Sequence, residues 1–166
     1  MLSARSFVFA RLLPAVLAAA VLPDAAHAAS VHVLAGPTTT SSFRWTAALF
    51  ADVTGDTRDW GPLRWQPAAS LGWIAPHHTH EESLDHDVVV GGAGFRLVDW
   101  WRGAFFGFEV AAAGGRTDAL SSAVQFISTL GWQGDRYEFM VRHISDGSLF
   151  GGKNLGESML LVGVRF

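Results

Sequence analysis

The chain has no cysteine, only one tyrosine, and few charges, with Asp, Glu, Lys and Arg making up 16% of its 166 residues. No disulfide can staple the fold, so stability must come from packing and strand pairing. Acidic residues outnumber basic ones by 15 to 12, which leaves no basic excess to grip phosphates, and no nucleic-acid partner is expected. Beyond residue 28 no apolar run approaches the ~18 residues of a membrane-spanning helix, yet the mean hydropathy is +0.24. Those two properties conflict for a helical membrane protein. They agree for a chain that crosses a bilayer in short strands of alternating polarity.

The N-terminal stretch is read apart from the fold. Arg5 and Arg11 accompany an apolar segment from Phe7 to Leu22, and Ala26-His27-Ala28 follows. Basic residues, an apolar core and a small-residue A-x-A site are the parts of a secretory signal peptide, here residues 1–28 with cleavage after Ala28. The remaining stretch, 29–166, has the length of one domain. Arg5, Arg11 and Asp24 leave with the leader, so of 12 basic and 15 acidic residues 10 and 14 remain, a net charge of −4.

Within 29–166 the apolar residues recur at every second position, the period of a strand with two unlike faces. Phe43, Trp45, Ala47, Leu49, Ala51 and Val53 alternate with Arg44, Thr46, Ala48 and Asp52, with Phe50 as the exception. Leu63, Trp65, Ala69, Leu71, Trp73 and Ala75 oppose Arg64, Gln66, Ser70 and Gly72. Ala104, Phe106, Phe108, Val110 and Ala112 oppose Gly107 and Glu109, and Leu120, Val124, Phe126 and Leu130 oppose Ser121, Gln125 and Thr129. Eight segments are expected, near 30–36, 42–53, 61–75, 86–97, 102–115, 119–130, 134–147 and 157–166. The expected fold is all-β, an eight-stranded antiparallel transmembrane β-barrel with its small-residue face turned inward and its apolar face turned to lipid.

Tryptophan placement supports lipid over a soluble sandwich. Trp60, Trp100, Trp101 and Trp132 fall in the expected periplasmic connectors near 54–60, 98–101 and 131–133, where an apolar ring with a polar N–H is at home in a membrane interface. The chain ends in Phe166, with Val164, Val162 and Leu160 at every second position before it. This ending resembles the C-terminal strand signature of outer-membrane proteins, which implies the barrel-assembly machinery as a partner.

One segment carries candidate chemistry. His143 and Ser145 share the parity of Tyr137, Phe139 and Val141, so they are expected on the outer wall near the external rim, where polar groups are costly against hydrocarbon. Residues i and i+2 of a strand stand ~6.6 Å apart on one face, near enough for an imidazole to lean toward a serine hydroxyl. A serine attacking an ester needs a base, and the base needs a third group to hold it. Glu157, at the start of the eighth segment, is the candidate for that third group. The same three residues would equally serve as ordinary polar groups of a barrel rim.

The segment His143-Ile144-Ser145, followed by Asn154-Leu155-Gly156-Glu157-Ser158 and a closing strand, resembles the lipid A 3-O-deacylase (PagL) family. Members of that family are eight-stranded outer-membrane barrels with a His-x-Ser pair and a glutamate fourteen residues after the histidine, the separation of Glu157 from His143 here. The resemblance implies Ser145 as nucleophile, His143 as general base and Glu157 as orienter, with the site facing the membrane and no cofactor. It also implies a serine-type ester hydrolase acting on lipid A of lipopolysaccharide in the outer membrane of a Gram-negative bacterium. The family follows its serine with Asn and places Gly two residues later; this chain has Asp146, Gly147 and Ser148. An ionised aspartate would repel a developing oxyanion, which leaves the backbone N–H groups around Asp146, Gly147 and Ser148 as the expected oxyanion donors. Glu157 also has the wrong parity for the lipid-facing row of its strand.

Two further groups are singled out. Arg142 and Lys153 flank the expected site and are candidates for holding the phosphates of lipid A. His77, His78, His80, Glu81, Glu82, His86 and Asp87 crowd one external loop; they have the chemistry for a divalent cation, but a solvated polar loop explains them as well and no metal is expected. The alternatives to an enzyme are a structural or adhesive outer-membrane barrel and a secreted soluble barrel for an apolar ligand. Oligomeric state, including a homodimer, stays open.

Overall fold

The computed structural model describes residues 29–151 and 153–166; the expected signal peptide lies outside the described residues. Among the described residues nine strands form one antiparallel sheet: β1 (Ser30–Thr39), β2 (Trp45–Thr54), β3 (Arg58–Trp60), β4 (Leu63–Ile74), β5 (Val88–Trp101), β6 (Ala104–Gly114), β7 (Val124–Gln133), β8 (Tyr137–Ser145) and β9 (Glu157–Arg165). Neighbours in sequence pair except β2 and β3; β1 pairs with β9, and β2 pairs with β4, so the sheet closes on itself. Closure at the chain ends is made by reciprocal bonds, Val31 N to Phe166 O at 3.3 Å and Phe166 N to Val31 O at 2.8 Å. The short β3 pairs only with the first residues of β4, beyond the end of β2. The break between β2 and β3 falls opposite Pro67. Gly55 N donates to Pro67 O at 2.9 Å, but Pro67 has no N–H to return and the ladder cannot continue unbroken. The result is an eight-stranded antiparallel barrel with β3 as a short extension.

The alternation has the expected sense. Along β8 the odd residues Tyr137, Phe139, Val141 and His143 are exposed while Glu138, Met140, Arg142 and Ile144 are buried. In β2, Phe50 breaks the apolar row because it points inward and is buried, over Gly72 of the neighbouring strand, where a Cβ would collide with its ring. Eight strands enclose a space that side chains can fill, and here they fill it. In the half nearer the chain ends the filling is ionic. Arg142 binds Asp52 through both terminal nitrogens, Arg96 reaches Asp52 at 3.5 Å and Glu138 at 3.1 Å, and His32 Nδ1 stands 2.9 Å from Glu138. Phe50 and Phe105 lie flat against these two guanidinium groups, 4.5 and 4.0 Å from ring centroid to carbon.

The long loops cover the other half, where Leu84, Ala119 and Leu120 pack alongside the buried polar residues Thr38, His77 and Glu157. Asp118, in the loop 115–123, gathers the β4–β5 and β8–β9 loops: Ser83 N and Lys153 Nζ donate to its carboxylate at 3.0 and 3.1 Å, and Leu155 N donates to its carbonyl at 3.1 Å. These donors hold the Asp118 carboxyl below its usual range, the Ser83 backbone N–H contributing most and Lys153 next. Leu84, Ala119 and Leu120 are thereby driven into the core. Leu120 is a correction to the expected strand 119–130: the strand starts at Val124, and Leu120 belongs to the plug rather than to the outward row. The opposite end has short connections, and exposed Trp60, Trp100, Trp101, Trp132, Tyr137 and Phe166 ring it.

Candidate functional site on the outer wall

Strand parity and register place a polar cluster on an otherwise apolar wall. His143 lies opposite Ser128 of β7 on one side and Ser158 of β9 on the other. With Ser145 two residues further along β8, one imidazole and three hydroxyl groups share the outer face near the long-loop end. Exposed Leu130, Val141 and Leu160 form the next row toward the opposite end.

The imidazole leans across the sheet rather than along its own strand. His143 Nδ1 and Ser158 Oγ lie 3.0 Å apart, a hydrogen bond whose donor depends on the imidazole tautomer. The far edge of the ring sits over Gly156, where an added Cβ would come 2.8 Å from Cε1 and 3.2 Å from Nε2. Gly156 has φ +69°, a conformation that favours glycine, so turn and ring seat are made by the same residue. No hydrogen bond joins His143 to Ser145 among the described residues; they share a face at strand spacing, with Ser145 half-buried.

Glu157 stands behind this wall. Its inward parity carries the carboxylate into the barrel, where Thr38 Oγ1 donates to one oxygen at 2.5 Å and His77 Nε2 lies 3.0 Å from the other. It is buried and makes no hydrogen bond to His143, so the expected orienting contact is absent and Ser158 occupies that place. Thr38, His77, Ser128, Gly156 and Ser158 were not anticipated as parts of the site. His77 was visible only as one member of a His-rich loop. Of its neighbours, Glu82 accepts from Ser42 and His86 pairs with Asp85 at 2.6 Å. Among the described residues no group of three His, Asp or Glu side chains is placed to hold a metal ion.

The oxyanion expectations divide. Asp146 turns its carboxylate inward, fully buried, with Oδ1 accepting from Ser148 N at 2.8 Å and from Asn154 Nδ2 at 2.5 Å. The side chain therefore braces the turn from inside instead of facing the serine. The cost is the Ser148 N–H, which is already used. Gly147 and Ser148, at φ +62° and +59°, form a tight turn closed by Leu149 N donating to Asp146 O. The Gly147 N–H has no acceptor among the described residues.

Arg142 is a correction. It points into the barrel, is 1% exposed, and is fully engaged by Asp52 and Thr129, so it cannot meet a phosphate outside. Lys153 remains exposed, with Asp118 as its partner. No known family model matches the chain, and no curated protein or solved structure matches it either.

Proposed function

We propose that the chain is an outer-membrane serine esterase that removes the 3-linked acyl chain of lipid A. The observation that carries this reading is the cluster of His143, Ser145, Ser128 and Ser158 on an apolar outward wall, at the end with long loops. In bacterial barrels long loops face outside and short turns face the periplasm, and the ring of Trp60, Trp100, Trp101 and Trp132 at the short-turn end suits the inner interface. The cluster then lies at the depth of the outer-leaflet ester bonds. Ser145 Oγ attacks the ester carbonyl while His143 takes its proton. The tetrahedral intermediate collapses with release of the sugar hydroxyl, which receives that proton, and water then hydrolyses the acyl-serine with His143 again as base. The Gly147 N–H, two residues along from Ser145 and without an acceptor among the described residues, is the backbone donor for the oxyanion in this reading. Glu157 contributes from behind the wall by fixing the start of β9 through Thr38 and His77.

The competing reading is a structural barrel, favoured by the missing His143–Ser145 and His143–Glu157 hydrogen bonds. Both are tested by expressing the parent and Ser145→Ala in Gram-negative cells and weighing their lipid A by mass spectrometry. One hydroxyacyl chain should be lost with the parent and kept with the variant. Unchanged lipid A with a parent barrel that shifts on gels without heating would overturn the esterase and leave the structural reading.

A further inference from the structure

We infer that Ser158 is the positioning residue of the His143 base, holding its imidazole as the Nδ1–H tautomer with Nε2 free for the serine. The inference rests on the esterase reading for its catalytic consequence, but the tautomer is a property of the protein alone. Three observations converge on it. Ser158 Oγ is the only side-chain partner of the ring among the described residues, at 3.0 Å from Nδ1. The ring is steered to that partner by Gly156, whose missing side chain leaves the space that Cε1 and Nε2 occupy. Glu157, the other candidate, turns its carboxylate inside the barrel, where one oxygen accepts from Thr38 and the other lies 3.0 Å from His77 Nε2.

The chemistry then decides the direction of the bond. A base that takes a proton from a serine must offer an unprotonated nitrogen, and the other nitrogen must carry the hydrogen. With Nδ1 turned to Ser158, Nδ1–H donates to Oγ and Nε2 keeps its lone pair. When Nε2 accepts the proton from Ser145, the imidazolium keeps its Nδ1–H bond to Ser158 and no further proton has to move. A hydroxyl suits this place on a hydrocarbon-facing wall better than a carboxylate, because an ionised group there would be costly to desolvate.

The test has a spectroscopic arm and a kinetic arm, on full-length protein folded in detergent micelles. Nitrogen-15 spectra of histidine-labelled protein, with the His143 signals identified by their loss in His143→Gln, report the neutral tautomer. The parent should show Nδ1–H, Ser158→Ala should shift toward Nε2–H, Ser158→Thr should restore the parent signal, and Glu157→Gln should keep it. An Nε2–H parent, or a tautomer equal in the parent and Ser158→Ala, overturns the inference. In the kinetic arm Ser158→Ala should lower kcat about tenfold, the worth of one orienting hydrogen bond, with KM kept and activity rescued by Thr. Equal kcat in parent and Ser158→Ala overturns the catalytic role. A Ser158-dependent tautomer in a parent that leaves lipid A intact defeats the esterase reading and leaves the imidazole assignment standing.

Discussion

Replacing Arg142 by methionine should be among the most damaging single changes, although no ligand touches it. The guanidinium is 1% exposed and holds Asp52, itself 2% exposed, through two nitrogens. Without it Asp52 keeps only Arg96, whose nearest nitrogen is 3.5 Å away. Removing one partner of a buried pair leaves a charge without compensation and costs ~3–5 kcal/mol. The remaining Arg96 places the expected loss at the lower end, ~3 kcal/mol, a shift of about 1–3 M in a urea midpoint at ordinary slopes. Tryptophan fluorescence during urea titration in micelles, with unheated gel mobility as a check on closure, measures it. The double variant Asp52→Leu with Arg142→Met removes both charges and should recover most of the loss, since well-packed apolar replacements of buried pairs are often neutral. A single variant costing under ~1 kcal/mol, or a double variant less stable than the single, would refute the account of the ionic core. The same single variant should discriminate between bisphosphorylated and dephosphorylated lipid A as the parent does, because Arg142 never reaches the outer surface.

Gly156→Ala should abolish ester hydrolysis while the barrel still closes on gels, because its Cβ would meet His143 Cε1 at 2.8 Å at a backbone angle that L residues avoid; activity within twofold of the parent would contradict the ring seat. Leu130→Arg, in the exposed row below the cluster, should cost ~2–4 kcal/mol in lipid vesicles if that wall meets hydrocarbon, and an unchanged vesicle stability would argue for a soluble barrel. Lys153→Ala should reduce turnover of bisphosphorylated lipid A more than that of a neutral ester, and equal losses would remove the phosphate role. The bonds that Asp118 accepts from the Ser83 N–H, the larger influence, and from Lys153 also give the loop cap a pH dependence. Asp118 has its folded pKa depressed, so its contribution is present above the usual carboxylate range and is lost as pH falls through the lower, folded value. Limited proteolysis of the loops should accelerate only at that acid end in the parent, and the difference should vanish in Asp118→Asn.

The contrast between the wall and the interior shows what kind of information a single sequence carries about a barrel. Tyr137, Phe139, Val141, His143 and Ser145 lie on one face because strand parity is local, so the outward row and its polar end were legible without any knowledge of pairing. Phe50 and Arg142 were not interpretable that way. Both obey the parity, but what an inward aromatic or an inward arginine touches depends on which strands stand across the lumen. Asp52 and Arg142 are 90 residues apart in sequence, and nothing local records their meeting. The site divides along the same line. His143 and Ser145 are neighbours within β8 and could be paired by spacing, whereas Ser158 faces His143 through a β8–β9 register set by the loop between them. Glu157 shows how spacing and parity can disagree. Its distance along the chain suggested a partner for His143, its parity pointed into the barrel, and the structure follows parity: a one-residue step along a strand moves a side chain through the wall. The residue next to it is then the one that reaches the imidazole, and for that reason Ser158 rather than Glu157 is where a substitution should change the state of His143.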